Sequence, residues 1–261
     1  MNHFKAILFD LNGTLIDIWT DETREDLFRT MANLLNTFGM MLSAEEFRKL
    51  FYEIMKKQRD ERKVEHPEFD AVGIFRTLLK EYGNEFTAVL PKNKLSMLPV
   101  FLAQTFRAAS IYRLAEYPGV HRILDELQKE YTLAAVSDGQ KIWAEAELRR
   151  LDLTRYFPVR VISSDYGFRK PAPGLFMAAL DELKLEPKDV IYVGNDMYRD
   201  VLGSKKLGMK NIYFQSNQGD QRYHGYDPDY IIYRIEDLLT AVHFLEENAS
   251  STICKKNHVV L

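Results

Sequence analysis

The apolar positions divide the chain into three stretches of different texture. Phe4–Phe9 is apolar except at Lys5 and stops at Asp10, before an Asn12-Gly13-Thr14 turn. This predicts a short strand buried on both faces with an acid at its carboxyl end. From about Thr20 to Arg113 only helical periodicity is expected. Leu27, Met31, Leu34, Leu35 and Phe38 share one helical face, with Gly39 suited to the terminus. Ser43-Ala44-Glu45-Glu46 has the capping-box pattern ahead of Phe47, Leu50, Phe51, Ile54 and Met55. Phe69, Val72, Phe75, Leu78, Leu79 and Tyr82 form a third stripe that ends at Gly83. Pro91 to Arg113 supplies a fourth, with Leu98, Phe101, Leu102 and Thr105 aligned.

Tyr117-Pro118-Gly119 breaks the helical run. Strands are predicted at Thr132–Val136, Val159–Ser163, Val190–Val193 and Asn211–Phe214, with an edge strand at Tyr230–Ile232. They alternate with helices at Lys141–Leu151 and Pro173–Leu183, one ending near Gly208, and one at Ile235–Phe244. Such alternation implies an α/β fold, a parallel Rossmann-like sheet with helices on both faces. The first strand belongs to the same sheet, so the four-helix bundle is an inserted cap over the sheet edge that carries Asp10. The expected units are a core of 1–17 and 115–248, a cap of 18–114, and a Ser- and Lys-rich tail at 249–261.

Composition narrows the class without naming it. Hydrophobic content of 46% and charged content of 28% in 261 residues suit an ordinary soluble globule. A net charge of −3 and a pI near 6.1 argue against a nucleic-acid partner. One cysteine, Cys254, excludes an internal disulfide and suits a reducing, cytoplasmic setting. No apolar run approaches the roughly 18 residues that span a bilayer, and the early strand leaves no room for a signal peptide, so no membrane role is expected. A monomer or homodimer is anticipated.

An acid at a strand's carboxyl end lies where open α/β sheets place their ligand crevice, although an Asp there can also simply cap a turn. Three further polar stations follow strands: Val136-Ser137-Asp138-Gly139, Phe168-Arg169-Lys170-Pro171, and Gly194-Asn195-Asp196-Met197-Tyr198-Arg199-Asp200. Taken singly, Ser137 reads as a turn residue, Lys170 as a surface lysine, and Asp196 and Asp200 as helix caps. Together they place a carboxylate, a hydroxyl, a lysine and an acidic loop on one rim. That set suits phosphoryl transfer: Asp10 as nucleophile, with the Leu11–Thr14 amides, the Thr14 and Ser137 hydroxyls and Lys170 neutralising the phosphate. A hard divalent cation on oxygen ligands would relieve the repulsion between the two anions.

These residues resemble the haloacid dehalogenase superfamily, in the subgroup with a helical cap after the first motif. Asp10-Leu11-Asn12-Gly13-Thr14 matches its first motif, Ser137 its second, Lys170 its third, and Gly194–Asp200 its fourth, over about residues 4–245. The resemblance implies a catalytic set at Asp10, Asn12 and Lys170, phosphate binding by Leu11, Asn12, Thr14, Ser137, Asp138 and Lys170, and Mg²⁺ held by Asp10, the Asn12 carbonyl and the loop bearing Asn195, Asp196 and Asp200. The expected substrate is a small phosphorylated metabolite.

Two departures qualify this. The position two after the nucleophile, usually an Asp that protonates the leaving group, is Asn12, and such proton transfer is typically worth 10²–10⁴-fold. The first acid of the fourth motif falls on Asn195, with Asp196 beside it. Three readings follow: a phosphatase with diminished acid–base assistance, a metal-independent 2-haloacid dehalogenase, and a phospho-ligand-binding protein. In the cap, Lys56–Lys63 reads chiefly as a solvated face because acids are interleaved, the alternative being that it faces the site. Trp19 and Tyr112 mark the two crossings between core and cap. Asp17 is a candidate for substrate contact or for fixing the hinge. His66, His121 and His224 read as structural.

Overall fold

The computed structural model describes residues 3–222 and 225–256. The chain runs β1 (Ala6–Phe9), β2 (Ile16–Thr20), α1 (Glu25–Thr37), α2 (Ala44–Glu61), α3 (Ala71–Tyr82), α4 (Glu85–Ala88), α5 (Lys92–Ser110) and β3 (Ile111–Glu116). It continues with α6 (Val120–Leu127), β4 (Thr132–Ser137), α7 (Lys141–Arg150), β5 (Val159–Ile162), α8 (Ser163–Tyr166) and α9 (Pro173–Leu183). Last come β6 (Val190–Gly194), α10 (Gly203–Lys206), β7 (Lys210–Phe214), β8 (Tyr230–Ile232) and α11 (Leu238–Lys256).

Six strands form one parallel sheet in the order β5-β4-β1-β6-β7-β8. β1 sits between β4 and β6, so Asp10 leaves the sheet where successive strands diverge to either side, the position of the ligand crevice in such sheets. Both faces of β1 are covered. Ile7 and Phe9 pack in a cluster with α6, α7 and α11, while Ala6 and Leu8 pack in one with α9. This is why the strand reads as a continuous apolar run rather than an alternating one.

Helices α1–α3 and α5 enclose a third cluster, rich in aromatic rings: Phe28, Phe47, Phe51, Phe75 and Phe106 are all fully buried. The expected capping box is present. Glu46 N–H donates to Ser43 Oγ at 3.2 Å and Ser43 N–H to Glu46 Oε2 at 2.8 Å. Trp143 of α7 joins this cluster and donates its indole N–H to the Ala103 carbonyl at 2.9 Å, so the helical layer is bolted to a helix of the sheet layer.

Several elements differ from expectation. The stretch taken as wholly helical is bounded by strands: β2 and β3 pair antiparallel into a separate two-stranded ribbon. Both are short and half-exposed, so they lack the apolar run that marks the sheet strands. Trp19 and Tyr112 stack across this ribbon, 4.9 Å between ring centroids. On α5 the buried face is Leu98, Leu102, Ala103 and Phe106, and Phe101 is instead 47% exposed. Residues 249–256 continue α11 rather than forming a tail, with Ala249 packed on the sheet core. The helix expected after β6 begins as a π-type turn, Met197–Leu202, before α10. The expectation for His224 lies outside the described residues.

The aromatic cluster yields a stability prediction. Phe106 stacks on Phe51 with ring centroids 4.6 Å apart. Phe106→Ala should therefore cost about 3–5 kcal/mol through lost burial and a residual cavity, read as a lowered urea midpoint.

Candidate active site

The first turn is built around a glycine. Gly13 has φ +85°, and a Cβ there would lie 2.3 Å from Asn195 Nδ2, so a side chain is excluded both by conformation and by space. The tight approach lets the end of β1 and the loop after β6 share one hydroxyl. Thr14 Oγ1 lies 3.3 Å from Asp10 Oδ2 and 3.0 Å from Asn195 Oδ1. Gly13 and Thr14 N–H are used inside the turn, donating to the Ile16 and Leu11 carbonyls.

Lys170 is the electrostatic centre. Its ammonium, on a wholly buried side chain, donates to Asp10 Oδ1 at 2.7 Å, Asp200 Oδ1 at 2.6 Å, Tyr192 Oη at 2.9 Å and the Val136 carbonyl at 3.2 Å. Burial opposes its charge, but the Asp10 and Asp200 carboxylates outweigh burial and hold it well above the usual lysine range. Burial likewise raises Asp200, with Lys170 opposing, and raises Tyr192 strongly. Asp138 Oδ1 accepts from Lys170 N–H at 2.9 Å and so anchors the loop that delivers the lysine. Burial pushes the Asp138 carboxyl up. Ser137 is buried at the end of β4, its hydroxyl 3.5 Å from the Asp138 carbonyl.

The two acids after β6 have different roles. Asp200 Oδ2 accepts from the Asn195 and Asp196 amides, 3.0 Å each, and its other oxygen faces Lys170. Asp196 points into its own loop. Its Oδ1 accepts from Tyr198 and Arg199 N–H, and its Oδ2 from the Arg199 guanidinium and Asp220 N–H. Burial disfavours its charge, but Arg199 prevails and holds the carboxyl below its usual range. So saturated, Asp196 anchors the loop, and Asn195 is the residue presented toward Asp10.

The oxygens gathered near Asp10 Oδ2 are thus those of Asn195 and Thr14, an all-oxygen set of the kind hard divalent cations take. It is low in charge, and no cluster of three His, Cys, Asp or Glu suited to a metal exists among the described residues.

Above this centre lies a cleft of about 860 Å³ between the sheet edge and the helical layer. Asn12 lines it, and its Oδ1 and Asp138 Oδ2 are buried without hydrogen-bond partners. Asp17 is paired with Arg113 at 2.7 Å and accepts from Gln218 at 3.1 Å, which ties β2 to β3 and to the loop after β7. On one side the helical layer is clipped to the rim. Gln140 accepts from Ala71 N–H and donates to the Phe69 carbonyl, 2.8 Å each, and Ser163 Oγ donates to Glu68 Oε2 at 2.7 Å. Pro67 and Phe168 form a β-bridge two residues before Lys170. Gln140, Glu68, Tyr192 and the cleft-facing Arg59 and Arg169 were not singled out from sequence. Arg169 had a signal in its place beside Lys170, and Arg59 in the alternative reading that its basic run faces the site. Arg59 belongs to the run read as a solvated face, and most of that run is exposed. His66 lies 3.4 Å from the Tyr198 hydroxyl, and His121 3.0 Å from that of Tyr156.

Comparison with known proteins agrees with this architecture. The family model described as haloacid dehalogenase-like hydrolase matches residues 7–214. A glyceraldehyde 3-phosphate phosphatase of Pyrococcus furiosus is 28% identical over 96% of this chain and 97% of its own. Among solved structures, a 2-haloacid dehalogenase of Pseudomonas syringae superposes with a TM-score of 0.65 at 20% identity, covering 93% of this chain and 99% of that one. A phosphatase of Thermococcus onnurineus gives 0.55 at 22%, covering 92% and 98%. The structural likenesses span both chemistries and so speak for the fold alone. With its four motifs gathered at the carboxyl edge of one parallel sheet, the chain belongs to the haloacid dehalogenase-like hydrolases.

Proposed function

We propose that the protein is a phosphatase that hydrolyses a small phosphorylated metabolite through an aspartyl-phosphate on Asp10. The observation that carries this reading is the Asp10 carboxylate held 2.7 Å from the buried Lys170 ammonium, two residues before the cleft-lining Asn12. The similarity to a glyceraldehyde 3-phosphate phosphatase supports it.

In this reading the phosphate sits over Asp10. The Leu11 and Asn12 amides, the Thr14 and Ser137 hydroxyls and Lys170 neutralise its oxygens, because the charge of the transition state lies on them. An Asp10 oxygen forms a bond to phosphorus as the P–O ester bond breaks. The leaving oxygen takes its proton from solvent, because the Asn12 amide is far too weak an acid to supply one. Water then attacks phosphorus, releasing inorganic phosphate and restoring the Asp10 carboxylate. Magnesium fits the all-oxygen set and would be held by Asp10, the Asn12 carbonyl and Asn195, with Asp200 and Asp196 supporting from behind. When bound it supplies positive charge between the two anions.

A second reading, a phospho-ligand-binding protein with impaired turnover, is favoured by the two amides, Asn12 and Asn195, standing at the first and fourth motifs. Phosphate release from p-nitrophenyl phosphate with Mg²⁺ decides between them. Asp10→Ala should abolish release in the phosphatase. No Asp10-dependent release by the native chain or by Asn12→Asp would sink the phosphatase and leave the binding protein.

Asn12→Asp should raise kcat by about 10²-fold on alkyl phosphates. The gain should be much smaller on p-nitrophenyl phosphate, whose leaving group departs without a proton. Equal gains on both substrates would show that position 12 does not act through the leaving group.

A further inference from the structure

Five arginines line the cleft: Arg59, Arg107, Arg113, Arg169 and Arg199. Three are answered by carboxylates. Arg107 meets Glu22 and Glu147 at 2.8 Å each, Arg113 meets Asp17 at 2.7 Å, and Arg199 meets Asp196 at 2.7 Å. Arg59 and Arg169 have no ion pair or side-chain hydrogen bond among the described residues, and the Nε of each is buried without a partner.

The two come from different layers of the fold. Arg59 lies on α2 of the helical layer, over the ring of Phe69 at 5.1 Å. Arg169 is held on the rim by its own N–H, which donates to the His66 carbonyl at 2.8 Å. It directly precedes Lys170 in the chain, and its side chain lines the same cleft as Asn12 and Asp138. They are close enough to act on each other: burial first, then the Arg169 charge, pushes the Arg59 guanidinium below its usual range. Glu68 is the carboxylate that acts on both, yet it is already used by Ser163 Oγ at 2.7 Å and Phe69 N–H at 2.9 Å, and burial raises its carboxyl. Two guanidiniums that line one cleft, with one shared counter-charge already engaged by other donors, repel unless an anion neutralises them. Their planar forks suit carboxylate or phosphate oxygens.

We propose that Arg59 and Arg169 form a subsite for a second anionic group, so that the substrate is a phosphate ester carrying a carboxylate or a second phosphate beyond the scissile one. The assignment of the scissile end rests on the phosphatase reading.

The test is calorimetric binding to the full chain with Mg²⁺, which needs no turnover. Methylphosphonate is compared with phosphonates that carry a carboxylate or a second phosphonate on one- to three-carbon chains. The best dianionic probe should bind at least tenfold tighter than methylphosphonate. Whether its second group is carboxylate or phosphonate identifies the class of substrate. The affinity ratio should fall to about one in Arg59→Gln and in Arg169→Gln, and Arg59→Lys should keep part of it. Melting temperatures confirm that each variant is folded. A native ratio near one at every chain length, a ratio unchanged in both Gln variants, or no phosphonate binding at all overturns the subsite. Asp10-dependent release from p-nitrophenyl phosphate is measured alongside. Its absence, with the ratio intact, removes the reaction while the arginine subsite stands.

Discussion

The structure depends on one buried cation. Lys170 touches Asp10 from β1, Asp200 from the loop after β6, Tyr192 within β6 and the Val136 carbonyl of β4. Burying an ammonium or a carboxylate alone is prohibitively costly, and each is tolerated here only because the others are present. Lys170 therefore holds together three neighbouring strands at their carboxyl ends. The same contact orients the Asp10 carboxylate beneath the cleft. Structural and chemical demands fall on the same atoms, so a change that weakens one weakens the other.

Around that cation the fold supplies carboxylate supports, of which Asp138 also lines the cleft. Asp138 fixes the backbone of Lys170, Asp200 fixes the amides of Asn195 and Asp196, and Asp196 is spent on Arg199 and its own loop. Three carboxylates are thus consumed in positioning. What is left to meet an anion near Asp10 is mainly neutral or positive, apart from Asp10 itself. This is the electrostatic condition that attack by a carboxylate on a phosphate requires.

Much of this was legible in the sequence where the physics is local. The run Phe4–Phe9, with its flanking turn, could only be a strand covered on both faces, and the Ser43–Glu46 box and the stripe through Phe75 and Leu78 announced their helices. Helix α6 carries its buried residues, Val120, Ile123, Leu124 and Leu127, at helical spacing, yet the break at Gly119 obscured it. β2 and β3 were hidden because a short, half-exposed ribbon is stabilised by its partner strand, which lies about a hundred residues away in the chain. The motif residues could be listed in order, but not which oxygens they would spend on one another. Asp196 and Asp200 look equivalent in sequence, and only the fold turns one toward Arg199 and the other toward Lys170. Arg59 was concealed among interleaved charges because whether one residue of a charged helix faces a cleft is decided by what the helix packs against.

The stacked ribbon of β2 and β3 has a consequence for how the protein can change over evolutionary time. All of α1–α5 leaves and rejoins the sheet layer through two strands that lie side by side. To the sheet, that whole helical layer is an outsized hairpin loop whose ends meet whatever its content. Closing such a loop costs little more for a long insert than for a short one. Its helices can therefore be lengthened, replaced or recharged while β1 keeps its place beside β4 and β6. The sheet edge that carries Asp10 and the helical surface above it are thus free to diversify at different rates.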